Sequence, residues 1–231
     1  MSRSFNTEAV AEALAQSPIF ERLDPAERLE LVRASRLIRC EGRTTVLAAG
    51  APHTHLFYVI AGQIDYGGAA IEGDEITLAV FGPGRTSSWL SMFHKAPEAK
   101  RTLSAVAGSA VLAIPNSAMR AVLDRRPELY PLVMEFEARR FRALLDWQQQ
   151  SLVSDRCKRI ALLLALLVEA SGESGPHPTV RLTGEKLARS AQCSRQTLAV
   201  AMRRLTEAGL IQQGYGFVRI LDISALRAFA A

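Results

Sequence analysis

The strongest constraint on the fold is a run of helix-capping residues near the C-terminus. Thr183 can cap a helix that begins at Gly184 and ends near Ala191. After a tight turn at Gln192-Cys193, Ser194 can cap a second helix, which Gly209 would end. The pattern predicts two short helices joined by a tight turn.

A short hairpin is predicted directly after the second helix. Residues 210–222 alternate between apolar and polar side chains, and Gly214-Tyr215-Gly216 supplies the turn. A helical pair followed by a hairpin is typical of a winged helix-turn-helix, in which the second helix lies in the major groove of DNA. The alternative is an ordinary helical pair with a solvated basic face.

The first turn of the second helix carries side chains suited to DNA. Arg195 can donate two hydrogen bonds to guanine, and Gln196 can make a paired contact with adenine. Ser194 and Thr197 can bond phosphate or contact a thymine methyl. Three further arginines are better suited to phosphates, which fix position without reading sequence: Arg203, Arg204 and Arg219.

The charge distribution favours a polyanion partner for the same part of the chain. Residues 1–150 contain 17 Lys and Arg and 17 Asp and Glu, whereas residues 151–231 contain 11 and 6, so the net charge of +5 lies there. Such an asymmetry indicates a DNA-binding module joined to a neutral one.

The N-terminal half contains short β-rich segments separated by glycines. The expected strands are Thr44–Ala48, His55–Ile60, Gln63–Tyr66, Ile76–Phe81 and Leu103–Ile114. Turns are expected at Gly50-Ala51-Pro52, Ala61-Gly62, Gly67-Gly68, Gly73-Asp74 and Gly82-Pro83-Gly84. Because no helix-length crossover separates the strands, an antiparallel barrel or roll is predicted, and the fold class is α+β.

Helices are expected on both sides of the strands. Two short ones precede them, near Glu8–Gln16 and from Asp24-Pro25 to Ala34. After the prolines at 127 and 131, a long helix with an apolar stripe runs toward Ser151. Periodicity leaves open whether that stripe packs on the roll or on a second subunit. The predicted domains are a roll over 1–125, a long helix over 126–153 and a DNA-binding domain over 154–231.

Several classes of protein are disfavoured by what the sequence contains. Three distant cysteines predict neither a disulfide framework nor a metal site, and the pair His53 and His55 has no third ligand nearby. No apolar run approaches the roughly 20 residues of a membrane span, and the N-terminus is unlike a signal peptide, so a cytoplasmic protein without membrane contact is expected. The P-loop, GxSxG and HExxH motifs are absent, and no enzyme is predicted.

The segment LTGEKLARSAQCSRQTLAVAMRRLTEAGLI resembles the winged helix-turn-helix of the cyclic-AMP receptor protein and fumarate-nitrate regulator (CRP/FNR) family. Upstream, SPIFERLDPAERLELV, HLFYVIAGQIDY and VFGPG resemble that family's cyclic-nucleotide-binding β-roll. The resemblance implies a transcription regulator whose long helix forms a homodimer. It further implies an inverted-repeat operator in double-stranded DNA, with half-sites about 34–36 Å apart, and RNA polymerase as a further candidate partner.

The resemblance is weaker where the family binds its effector. Arg101-Thr102 matches the pair that holds the cyclic phosphate, but Ser88-Trp89, followed by Leu90, stands where a Gly-Glu pair holds the ribose. We therefore expect an effector other than cyclic AMP, or none. Cys40 alone cannot hold the iron–sulfur cluster of the oxygen-sensing branch, and the histidines show no haem-binding pattern. The alternative function is a cyclic-nucleotide-binding adaptor that acts through protein partners.

The reading helix also departs from the cyclic-AMP receptor. Val200 stands where that protein has a second DNA-contacting arginine, and Gln196 stands where it has an acidic residue. A different operator sequence is expected.

Overall fold

The computed structural model describes residues 7–69, 75–87, 89–95, 98–151, 155–173 and 175–230. Their contacts divide the chain into two compact units. The first contains the described residues up to Asp65 together with Phe81–Arg140, and the second contains those within Tyr66–Val80 together with the part from Phe141 onward.

Two short helices precede the strands of the first unit, as predicted. Helix α1 spans Thr7–Leu14 and α2 spans Pro25–Ala34. Pro25 occupies the first helical position of α2, and the Asp24 backbone N–H donates to the Glu27 carboxylate at 2.9 Å. This contact satisfies a backbone donor just before the helix, which is why α2 begins here.

Within the described residues, seven strands form the roll. They are β1 (Arg36–Cys40), β2 (Thr44–Leu47), β3 (His55–Ala61), β4 (Ile64–Ala69), β5 (Glu75–Phe81), β6 (Thr102–Ala105) and β7 (Ser109–Pro115). One sheet has the order β1-β7-β3 and the other β2-β6-β4-β5; β7 pairs antiparallel with both its neighbours, and β2 pairs antiparallel with β6. The predicted antiparallel roll and α+β class are confirmed.

Two predictions about the strands are wrong in detail. Gly67-Gly68 lies inside β4 rather than in a turn. A Cβ at Gly67 would stand 1.9 Å from the carbonyl oxygen of Ile76 on β5, so a residue with a side chain does not fit at this position. Glycine serves there for close approach of two backbones. The expected single strand Leu103–Ile114 is two strands, β6 and β7, separated at Gly108, whose φ is +80°. The turn expected at Gly73-Asp74 lies outside the described residues.

Two helices follow β7. Helix α3 spans Asn116–Arg125, a short 3₁₀ helix covers Pro127–Leu129, and α4 runs over Tyr130–Ser151. Near its start, α4 buries Val133 in the apolar core of the first unit. Further along, several large apolar side chains of α4 are exposed: Met134, Phe141, Leu144 and Leu145.

The C-terminal part of the second unit is built around α5 (Arg156–Ser171). The Asp155 carboxylate caps α5 by accepting from the backbone N–H of Cys157 at 2.8 Å. The elements that follow are β8 (Thr179–Val180), α6 (Gly184–Ser190), α7 (Arg195–Glu207), β9 (Ile211–Gly214), β10 (Phe217–Ile220) and α8 (Ile223–Ala230). The sheet order is β8-β10-β9. In the part of the chain that the structure describes, no helix is long and apolar enough to cross a membrane.

Candidate nucleic-acid interface

Both predicted caps of the helical pair are present. The Thr183 hydroxyl accepts from the backbone N–H of Lys186 at 3.3 Å, at the start of α6. The Ser194 hydroxyl accepts from the backbone N–H of Thr197 at 3.1 Å, at the start of α7. Each cap fixes where its helix begins, so the first turn of α7 has a defined position.

The turn between the helices is held by backbone hydrogen bonds. Ala191 N–H donates to Leu187 O at 2.9 Å, and Cys193 N–H donates to Ala188 O at 3.0 Å. Gln192 adopts a φ of +52°, which is rare for a residue other than glycine. The turn is therefore tight, and its geometry fixes the direction in which α7 leaves α6.

One face of α7 packs into the core of the second unit. Leu198, Ala201, Met202 and Leu205 are buried in the same apolar cluster as α5. The Cys157 thiol donates to Ala201 O at 3.7 Å, and burial raises the pKa of this thiol. Because this face is committed to the core, the opposite face is available to a partner.

The residues expected to read bases lie in the exposed first turn of α7. Arg195 and Gln196 are both exposed, as is Val200 one turn later, and the Arg195 side chain retains 73% of its accessible surface. An Arg195 Nη2 lies 2.7 Å from Glu185 Oε2 at the start of α6. The Thr197 and Ser194 hydroxyl oxygens are 2.9 Å apart, so Thr197 is partly engaged by the cap.

The three arginines expected to contact phosphate differ in their surroundings. Arg203 is exposed on α7. The Arg204 guanidinium carbon lies 5.6 Å from the centroid of the Phe229 ring on α8. On the wing, Arg219 Nη1 donates to Gln212 Oε1 at 3.1 Å. Arg203 and Arg204 therefore share α7, whereas Arg219 lies on β10.

Two exposed residues of this domain were missed in the sequence. Glu185 could be paired with Arg189 from their helical spacing, but its contact with Arg195 crosses from α6 to α7. Tyr215 is fully exposed at the tip of the wing, between two glycines. Because Tyr215 stands in the predicted hairpin turn, its exposure could have been predicted from the sequence.

In the first unit, the residue at the expected ribose position is part of the core. Trp89 is fully buried, and its ring centroid lies 5.7 Å from that of Phe20. It begins the 3₁₀ helix Trp89–Met92, and its backbone N–H donates to Glu137 Oε1 of α4 at 2.7 Å. The indole expected at the ribose position is therefore a buried core side chain.

The other residues expected to bind the effector differ in their surroundings. Leu90 is exposed, and Ser88 lies outside the described residues. Arg101 is exposed, and its Nη1 donates to Lys100 O at 2.9 Å. Thr102 Oγ1 accepts from the backbone N–H of Ala49 at 3.3 Å. Arg101 and Thr102 therefore each form a side-chain hydrogen bond with a backbone atom. Among the described residues, no group of three or more His, Cys, Asp or Glu could hold a metal ion.

Comparison with known proteins identifies both domains. Residues 37–126 match the cyclic nucleotide-binding domain family, and residues 158–229 match the Crp-like helix-turn-helix domain family. A CRP-like cAMP-activated global transcriptional regulator of Mycobacterium tuberculosis is 29% identical over 220 residues, which cover 93% of this chain and 97% of that protein.

Further matches also extend over most of the chain. The cyclic AMP receptor protein of Thermus thermophilus is 28% identical over 218 residues, with coverage of 93% and 97%. The solved structure of FixK2 from Bradyrhizobium japonicum has the same fold, with a TM-score of 0.69 at 13% identity over 85% of this chain and 98% of that one. The chain therefore belongs to the CRP/FNR family: it is a DNA-binding transcription regulator with an N-terminal ligand-sensing domain.

Proposed function

We propose that this regulator reads an inverted-repeat operator through the first turn of α7, with Arg195 contacting guanine and Gln196 contacting adenine. One observation carries the proposal: both side chains are exposed immediately after the Ser194 cap, while Leu198, one turn later, is buried and anchors the helix in the core. A helix fixed in this way can place its N-terminal side chains against base edges in the major groove.

Phosphate contacts are proposed for the remaining arginines and for the cap. Arg203 lies on the exposed face of α7, and Arg219 lies on the wing, so the two would hold the domain on the backbone at separate points. Arg204, which lies over Phe229, adds positive potential near α8. Ser194 and Thr197 offer hydroxyls to the phosphate nearest the helix start.

The exposed stripe of α4 is the proposed dimer contact. Met134, Phe141 and Leu145 are spaced by seven and four residues, so they share one face of the helix. A second copy of α4 would cover this face, and each dimer would present two α7 helices to half-sites about 34–36 Å apart. We retain 1–125, 126–153 and 154–231 as the proposed division into roll, dimer helix and DNA-binding domain.

We propose an effector other than cyclic AMP, although the two curated relatives are named for that nucleotide. The buried indole of Trp89 and the backbone contacts of Arg101 and Thr102 support this proposal. Calorimetry with cyclic AMP and cyclic GMP tests it, and we expect no saturable heat. Saturable binding that disappears in Arg101→Ala would contradict the proposal.

The protein is proposed to act by binding promoter DNA in the cytoplasm, not by catalysis. Selection of duplexes from a random pool is the direct test, and a palindromic motif is the expected result. On the selected operator, Arg195→Ala should weaken binding by about 1–3 kcal/mol, or about 5- to 150-fold, with little change on scrambled DNA. Arg227→Ala, which removes an exposed arginine of α8, is the matched control. The absence of any palindromic motif, or equal losses on both duplexes, would refute base reading by Arg195.

A further inference from the structure

Glu185 binds two arginines of the helical pair at once. Its Oε1 accepts from Arg189 Nη2 at 2.7 Å within α6, and its Oε2 lies 2.7 Å from Arg195 Nη2 on α7. A carboxylate thus stands beside the arginine that is proposed to read guanine. On a surface that binds DNA, a negative charge at this position repels the phosphates and therefore opposes binding.

We infer that Glu185 is a specificity-determining residue, which orients Arg195 for base reading and disfavours DNA that lacks the correct base. The inference rests on the proposed role of Arg195. Glu185 is a positioning residue: it acts on DNA through Arg195.

Fold stability does not account for the arrangement. The Glu185 side chain retains 46% of its accessible surface and that of Arg195 retains 73%, and ion pairs this exposed contribute little to folding. Glu169 and Arg227 form a comparable pair at 2.7 Å between α5 and α8, with a similar 48% exposure of the carboxylate. The distinctive property of the Glu185 pair is therefore its position at the start of α7.

Orientation follows from the geometry of the guanidinium. Arginine has five N–H donors in one plane, and its long side chain loses rotational freedom when it binds. A bond from Nη2 to Glu185 restrains that plane before DNA arrives and leaves other donors for the acceptors of guanine. Part of the side-chain entropy that Arg195 would lose on binding is thus already lost in the free protein, and this pre-organisation strengthens binding to the operator.

Discrimination follows from the charge. Non-specific binding depends on the number of phosphates that Lys and Arg neutralise. The Glu185 carboxylate offsets positive charge from Arg189 and Arg195, and it repels a phosphate that approaches them. On the operator, the hydrogen bonds from Arg195 to guanine compensate for this repulsion. On other sequences these hydrogen bonds are not formed, so the repulsion weakens binding.

The test compares Glu185→Ala, Glu185→Gln and the matched control Glu169→Ala. Fluorescence anisotropy measures the Kd of each full-length variant on the selected operator and on a scrambled duplex of equal length, over a series of salt concentrations. For Glu185→Ala we expect about fivefold weaker operator binding and about twofold tighter scrambled binding, so the specificity ratio falls about tenfold. Glu185→Gln should tighten scrambled binding similarly but keep more operator affinity, because its amide oxygen still accepts from Arg195.

A double-mutant cycle separates positioning from general electrostatics. In an Arg195→Ala background, Glu185→Ala should leave the specificity ratio unchanged, because the base-reading arginine that Glu185 orients is absent. The inference is overturned if Glu185→Ala tightens both duplexes equally, or if it behaves like Glu169→Ala. If the wild-type protein shows no preference for any sequence, the proposed function fails as well. A preference in the wild type that survives in Glu185→Ala overturns the inference alone.

Discussion

Replacing Glu137 with alanine tests whether the 3₁₀ helix Trp89–Met92 is held against α4. Glu137 Oε1 accepts the Trp89 backbone N–H at 2.7 Å, which is a short bond to a charged acceptor. Such bonds contribute about 1.5–3 kcal/mol to stability. Because Glu137 is partly exposed, we expect Glu137→Ala to lower the free energy of unfolding by about 1.5–2 kcal/mol, at the lower end of that range.

The same helix supplies a matched control two residues away. Glu135 is exposed and pairs with Arg139 four residues later. An exposed pair of this kind contributes about 0.3–0.5 kcal/mol, so Glu135→Ala should cost several times less than Glu137→Ala. Both substitutions remove one carboxylate from α4 and leave the same side chain.

Urea unfolding followed by tryptophan fluorescence is the assay. The chain contains two tryptophans, and Trp147→Phe leaves Trp89 as the reporter of its own surroundings. With an m-value of about 2 kcal/mol/M, the expected loss moves the unfolding midpoint about 1 M lower. A midpoint for Glu137→Ala equal to that of Glu135→Ala would refute the reasoning, since the bond to Trp89 would then contribute nothing measurable.

Three other substitutions test the fold by urea unfolding in the background that retains both tryptophans, because Trp147 packs against the core of the second unit and reports on it. Gln192→Gly should raise stability by about 0.5–1 kcal/mol, because glycine adopts the φ of +52° without the strain of a side chain; destabilisation would contradict this. Gly67→Ala should cost about 1–3 kcal/mol, since its Cβ would clash with Ile76 O, whereas Gly42→Ala, with open space around it, should cost far less. Burial lowers the pKa of His53 below its usual 6.5, so the folded state binds this proton less readily than the unfolded state. Stability should therefore fall as the pH drops below about 6.5, and His53→Gln should reduce that slope; an unchanged slope would contradict the assignment.

Features that depend on near neighbours in the chain could be predicted from the sequence. The Thr183 and Ser194 caps each bond a residue three positions later, and Asp155 bonds one two positions later. Capping depends on side-chain chemistry over one helical turn, so residue type and spacing suffice. The boundaries of α6 and α7 followed for the same reason.

Other features depend on packing between distant residues. Strand β8 has only two residues and exists by pairing with β10, and the buried Ser190 hydroxyl donates to Thr77 O, 113 positions away. Neither contact leaves a local pattern. Glycine is ambiguous for a related reason, because the same residue type serves a turn at Gly108 and close backbone approach at Gly67.

The reading surface combines both kinds of information. The exposure of Gln196 and Val200 follows from helical periodicity, whereas the link from Arg195 to Glu185 depends on the direction in which the turn at Gln192 sends α7. Val200 keeps 60% of its surface exposed and has no hydrogen-bonding group, so it can distinguish bases only by apolar contact. In the major groove, the thymine methyl is the partner for such a side chain. We therefore expect the operator half-site to contain a thymine opposite Val200, and Val200→Ser to reduce the preference for it.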